Sequence, residues 1–364
     1  MMKKLLFAGM CALALLASCG DNDDPITPDN PNPENPTDSV KPSKPQGTNP
    51  YVTKVLDYRP APGQFVNTLP QYSDGDTQDI MNAKALVAIG NNKKGMVTLG
   101  GYGGYITVGF DHTIKNEPDL CDFRVLGNAF VNAPSSQNPY EGGSCEAGII
   151  QVAYDANGNG VPDENEWYEI AGSAHVDPTQ EVWYAHAKER GNDVNLYRNF
   201  VMTYYRPTVT VPDEAEDPDN YIFIKDYIRW KDNYKHSGYK FMNTFHTQPY
   251  YPEWIEGDSL VFKGTCLPQN SVNEAPEGSP TNYFVLYKFR YGYADNVGND
   301  ADASCIDIDW AVDADGKPAN LPGVDFIRVY TGVNQESGWI GECSTEFSGI
   351  TDLHLTGEKI TPAK

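Results

Sequence analysis

Beyond Tyr51 apolar and polar residues alternate with period two, in short runs closed by Gly, Pro, Asn or Asp. This is the pattern of half-buried β-strands, and β-branched and aromatic residues dominate the runs. It predicts strands over 96–99, 105–110, 121–125, 148–154, 200–205, 221–224, 259–262, 283–289 and 324–330. Short, regular strands without long amphipathic helices between them predict a mostly β fold, an antiparallel β-sandwich of jelly-roll type rather than a parallel α/β sheet. Two helices are expected. One spans 76–88, with Asp76 as its cap and Ile80, Ala83, Lys84 and Val87 along one side; the other spans 178–190. No short repeat of propeller or solenoid type is visible. Asp122-Phe123-Arg124-Val125 and Asp325-Phe326-Ile327-Arg328-Val329 echo each other, so one sandwich or two related ones both remain open.

The strand pattern is preceded by two segments of different character. Residues 1–18 carry Lys3 and Lys4, an apolar stretch over 5–16, and Leu16-Ala17-Ser18 ahead of Cys19. About a dozen apolar residues are too few to span a bilayer, which takes roughly 20. The segment resembles bacterial lipoprotein signal peptides, which implies cleavage before Cys19 and acylation of that residue. The acidic residues Asp21, Asp23 and Asp24 resemble the tag that sends Bacteroidota lipoproteins to the outer face of the outer membrane. Residues 19–50, rich in Pro, Asp, Asn and Thr, have nothing to bury and are expected to form a disordered stalk. At about 3.1 Å per residue in extended form, it would reach up to roughly 90 Å. Residues 51–364 form the expected ectodomain.

Charge narrows the partners. The chain of 364 residues has 27 basic and 50 acidic side chains, a formal charge of -23. Nucleic acid, which requires a basic track, is excluded on this ground, and so is electrostatic docking on anionic lipid. Contact with the membrane is therefore expected through the lipid anchor only. Five cysteines lie beyond Cys19, at 121, 145, 266, 305 and 343. None has metal-site spacing. A Cys121–Cys145 disulfide and isolated buried thiols are the two alternatives.

The sharpest local motif covers 155–166. Oxygen-bearing side chains stand at Asp155, Asn157, Asn159, Asp163 and Glu166, with Gly160 at the sixth position and Val161 offering a carbonyl at the seventh. That is the ligand spacing of an EF-hand-type loop, since a cation of calcium size takes six to eight oxygens. Strand-like residues precede it, so the expected Ca2+ is structural, stiffening a loop between strands. A metal-free turn is the alternative. A second acidic set, Asp307, Asp309, Asp313 and Asp315 ahead of Gly316, reads more simply as a turn.

Signatures of enzymes are missing. Residues 90–95 have P-loop glycine spacing, yet Met96 and Val97 occupy the Lys and Ser/Thr places. No G-x-S-x-G elbow or H-E-x-x-H helix occurs. No catalytic residue is assigned, and the chain is expected not to be an enzyme. The other dense feature is aromatic: Tyr227, Trp230, Tyr234, Tyr239, Phe241, Phe245, His246, Tyr250, Tyr251 and Trp254, interleaved with Asp232, Asn233, Asn243 and Gln248. Rings with polar neighbours suit a sugar or a large planar ligand, and equally a sandwich interior. Trp230, His246, Tyr250, Tyr251 and Trp254 are the candidate ligand contacts.

A series of local motifs resembles one group of Bacteroidota cell-surface lipoproteins over nearly all of 51–364. It includes Gly109-Phe110-Asp111-His112, Asp122-Phe123-Arg124-Val125-Leu126-Gly127-Asn128, Tyr227-Ile228-Arg229-Trp230, Tyr250-Tyr251-Pro252, Tyr291-Gly292-Tyr293-Ala294-Asp295-Asn296 and Asp307-Ile308-Asp309-Trp310. Cys145-Glu146-Ala147 departs from the Glu-Pro frequent in that group. Members are encoded beside cobalamin transporters, so the resemblance implies capture of vitamin B12 or a related corrinoid for a TonB-dependent outer-membrane transporter. The residues themselves also fit a calcium-stabilised protein that binds or cleaves glycans, or a structural adhesin.

Overall fold

The computed structural model describes residues 49–92, 95–208, 228–240, 242–243 and 245–363. The expected signal peptide, Cys19, nearly all of the stalk, the strand over 221–224, Tyr227 and Phe241 lie outside them. The central sheet is assembled from strands far apart in the chain. Its order is Lys54–Arg59, Tyr105–Lys115, Gly323–Thr331, Gly148–Ala153, Trp167–Ile170 and Ala311–Val312, with every neighbour antiparallel. Register places Ile327 between Val108 and Val152, and Val329 between Ile106 and Ile150. All six side chains are buried, giving the sheet a continuous aliphatic layer. The opposite face is also covered: the Arg328 guanidinium lies 4.3 Å from the centre of the Trp167 ring and 4.9 Å from that of Tyr105.

A second sheet runs Ser237–Lys240, Ile228–Asp232, Tyr197–Tyr205 and Ser259–Cys266. Here the alternation is clean, with Phe200, Met202, Tyr204, Leu260 and Phe262 buried and Val261 exposed. It docks on the first sheet where Gly103, at φ 85°, meets Phe262; a Cβ there would come within 2.3 Å of the Phe262 side chain. The third sheet joins Ser271–Asn273, Phe284–Tyr287, Gly142–Ser144 and Phe130–Asn132, and the fourth Cys305–Ile306, Phe123–Leu126 and Gly349–Asp352. A two-stranded ribbon pairs Glu346–Phe347 with Val97–Thr98.

The fold is mostly β, but the jelly-roll sandwich is not what forms. The small sheets adopt a four-blade β-propeller arrangement instead of two facing layers. The expectation of two related half-sandwiches goes with it: the echoing segments at 122–125 and 325–329 sit in different sheets. Sequence repetition would not have exposed the blades, because single sheets draw strands from both ends of the chain.

Helices are few and short. The first spans Gln78–Ile89 and is capped by Thr77, whose side chain accepts the Ile80 N–H. Asp76 does not cap it; its carboxylate accepts the Ser73 N–H and pairs with Lys84 at 2.5 Å. The buried face is Met81, Ala85 and Ile89, while Ile80 and Val87 face outward. The second expected helix breaks into a 3₁₀ turn at Pro178–Gln180 and a helix at Tyr184–Glu189. Among the described residues no helix is long and apolar enough to cross a membrane.

The Cys121–Cys145 pair is not formed. All five cysteines are free and buried; Cys121 packs with Cys305 and Leu353, whereas Cys145 belongs to the main core. Burial pushes the Cys121 thiol up to about 12 and that of Cys305 to about 11, far from a reactive thiolate.

Candidate functional site

The strand Gly148–Ala153 runs directly into the loop over 155–166, and the loop closes on its own oxygens. Asp155 accepts the Asn159 N–H at 3.0 Å on Oδ1 and the Gly160 N–H at 2.9 Å on Oδ2. Asn157 Oδ1 takes the same Asn159 N–H at 2.9 Å, and Asn159 Oδ1 takes the Val161 N–H at 2.9 Å. Glu166 reaches back to the N–H groups of Ala156 and Asp163 at 2.9 and 3.1 Å. Asp163 Oδ2 receives the side-chain amides of Asn157 and Asn159 at 2.5 and 3.0 Å. Positive φ values at Gly158 (71°) and Gly160 (83°) allow this tight course, with open space around both. The loop thus brings together all five side chains named from the spacing. The second acidic set does form a turn: Asp313 Oδ1 accepts the N–H groups of Asp315 and Lys317, and Asp307 caps the 3₁₀ turn Ile308–Trp310.

The five candidate ligand contacts do not share one surface. Tyr250, Tyr251 and Trp254 are buried. The Tyr250 hydroxyl accepts the Asn243 N–H at 3.0 Å, and burial pushes its pKa up. Arg206 lies 4.2 Å from the centre of the Tyr251 ring, and Trp254 stacks on Tyr58 at 5.7 Å. His246 is half-buried with its ring edge-on to Phe65 at 4.5 Å, and burial lowers its pKa. Trp230, also half-buried, stands on the wall of a hollow.

Two hollows adjoin, with Gln269 in the wall of both. The larger, of about 690 Å3, is lined by the amides of Asn192, Gln269, Asn273, Asn282 and Gln335, by the Phe284 ring, by the carboxylates Glu277 and Glu336, and by Arg190, which lies 3.6 Å from Glu274. The amides are held in place by the protein. Gln335 Oε1 accepts the Ser271 N–H at 3.0 Å while its Nε2 donates to the Ser271 carbonyl at 2.5 Å, and Asn273 Nδ2 donates to Asn282 Oδ1 at 2.7 Å. The smaller hollow, of about 280 Å3, has Trp230, Tyr197 and Phe200 on its wall. The sequence did not disclose the amide rim, because its residues come from three separated segments and each is ordinary alone.

A further group escaped the sequence reading. Glu146, Asp295 and Glu346 present carboxylate oxygens within 4.8 Å of one another and could hold a metal ion. Asp295 accepts the N–H groups of Asn128, Ala129 and Glu346 at 2.7–2.9 Å, and Glu146 accepts the Ser344 N–H at 3.1 Å. Burial outweighs these donors, and repulsion from neighbouring carboxylates adds to it at Glu146 and Glu346, so the pKa rises to about 8 at Glu146, to about 7 at Asp295 and well above the ordinary range at Glu346. Asp295 and Glu346 are fully enclosed, and among the described residues no Lys or Arg pairs with any of the three.

No protein-family model matches the chain, and a comparison with curated proteins returned no match either.

Proposed function

We propose that this chain is a lipid-anchored protein on the outer face of the outer membrane that binds a nutrient, cobalamin or a related corrinoid, and passes it to a TonB-dependent transporter. The observation that carries the reading is the amide-rimmed hollow of about 690 Å3, within the 300–1,000 Å3 typical of small-molecule sites. A corrin macrocycle bears amide side chains around its edge. Each is both donor and acceptor, and fixed protein amides match it in kind. Arg190, in the same hollow, suits the phosphodiester of the nucleotide loop through a charge-assisted bond. Holding the amides before the ligand arrives lowers the ordering cost of binding.

The same reading gives the loop over 155–166 a structural Ca2+, held by Asp155, Asn157, Asn159, Asp163, Glu166 and the Val161 carbonyl. Hard oxygen donors in that number fit calcium. Such an ion stiffens the loop and takes no part in bond breaking, consistent with a binder rather than an enzyme. Titration of the full chain with cyanocobalamin tests the ligand; saturable binding at micromolar concentration is expected.

A glycan is the second reading. The hydroxyls of Ser271 and Ser279 and the ring of Phe284 in the same hollow favour it, since sugars pair hydroxyls with a ring face. A glycan array followed by a reducing-sugar assay separates binding from cleavage, and glycan capture without cobalamin binding would select it.

A further inference from the structure

The smaller hollow differs in chemistry from its neighbour. Three rings, Tyr197, Phe200 and Trp230, line it together with two carboxylates, Asp193 and Asp232, and no Lys or Arg stands among its lining residues. The rings are held. Tyr197 and Phe200 pack at 5.6 Å, and Trp230 lies across Gly238, where a Cβ would come within 3.1 Å of the indole. The carboxylates are held as well. Asp232, its side chain only 1% exposed, accepts the N–H groups of Tyr234 and His236 on Oδ1, each at 2.8 Å, and His236 Nδ1 stands 2.7 Å from Oδ2. Asp193 accepts from Asn195 on one oxygen and from the Tyr197 hydroxyl at 2.8 Å on the other.

We propose that this hollow binds an organic ammonium group. Ring faces attract a cation through their quadrupole, and two fixed carboxylates reinforce that field, with His236 the only basic side chain on the wall. The donors that hold Asp193 are neutral and leave its charge uncancelled. A bare metal ion fits poorly, because two carboxylates are the only anionic groups on a wall otherwise made largely of rings and apolar side chains, too few hard oxygens for a coordination shell. A neutral sugar could stack on Trp230 but would gain nothing from the charges. The chain's formal charge of -23 adds long-range attraction for a cation. At about 280 Å3 the hollow suits a head group of choline size, not a whole corrinoid, so the proposal stands apart from the nutrient reading.

Isothermal titration of the full chain with choline, and with its uncharged isostere 3,3-dimethylbutan-1-ol, decides the matter. Choline is expected to bind saturably and the isostere roughly tenfold more weakly or worse. Trp230→Ala should abolish choline binding. Asp193→Asn, which keeps the shape of the wall, should weaken it several-fold with an unchanged circular dichroism spectrum. No saturable binding up to about 10 mM choline, or equal affinity for the isostere, overturns the proposal. So does a folded Asp193→Asn variant that binds choline as tightly as the parent chain. Cyanocobalamin binding is read separately and bears on none of these outcomes.

Discussion

The backbone N–H of Asp155 donates to Asp325 Oδ2 at 2.8 Å, fixing the first position of the oxygen-rich loop to a core strand. Asp325 is buried on Gly323–Thr331, an interior strand of the largest sheet, and its other oxygen accepts the Thr113 hydroxyl at 2.6 Å. The loop is therefore tied to an interior strand of the core, where rigid support favours a pre-shaped ion site.

Calcium should stabilise the chain through that loop. Saturation at 100 times the dissociation constant adds about 2.7 kcal/mol. Chelation is expected to lower the melting temperature, and Asp155→Ala to abolish the difference. Asp325→Ala should weaken calcium binding without removing any ligand. A melting temperature indifferent to chelator would retire the assignment.

Stability should fall as pH rises from about 5 to 8. In the unfolded chain, carboxyls release their protons near pH 4. In the folded chain Glu146, Asp295 and Glu346 hold theirs toward pH 7–8 or beyond. The folded state thus binds more protons across this interval, and its advantage, complete below the unfolded pKa, is lost as pH passes the folded values. Glu346→Gln removes one of these protonation sites and should flatten the slope over the interval, measured by urea unfolding at each pH. Identical slopes for the two proteins would contradict the cluster's role.

Gly172→Ala should destabilise by about 1–3 kcal/mol through overpacking. A Cβ there would lie 2.5 Å from the Tyr293 ring, whose hydroxyl accepts the Ala174 N–H at 3.1 Å and contacts His175 Nδ1 at 2.9 Å. His175 in turn meets Glu169, which also accepts from Thr265 and Tyr330, so the strain falls on a network joining several sheets. Unfolding equilibria of the two proteins measure it, and equal midpoints would show that the ring can move aside.

What could be read in advance was local. Strand runs such as 105–110 and 324–330 lie inside the observed strands because β-branched residues mark them regardless of partner. The oxygen spacing over 155–166 is likewise contained in one continuous loop, which ends in the 3₁₀ turn Glu164–Glu166. Pairing was not legible. Lys54–Arg59 and Gly323–Thr331 flank the same strand across most of the chain, and no repeat records it. The helix at Gln78–Ile89 has apolar residues on both sides, so Ile80 and Val87 were as plausible inward as Met81 and Ile89, and only the contact with the sheet decides. The aromatic stretch failed to separate interior from wall for the same reason: Tyr250 and Trp230 look alike in sequence, and tertiary packing buries one and leaves the other beside a hollow.

Binding of the vitamin is the direct test. Isothermal titration of the full chain with cyanocobalamin, in calcium, should give saturable one-to-one binding that Arg190→Ala weakens roughly tenfold. No heat of binding at micromolar vitamin would contradict the account.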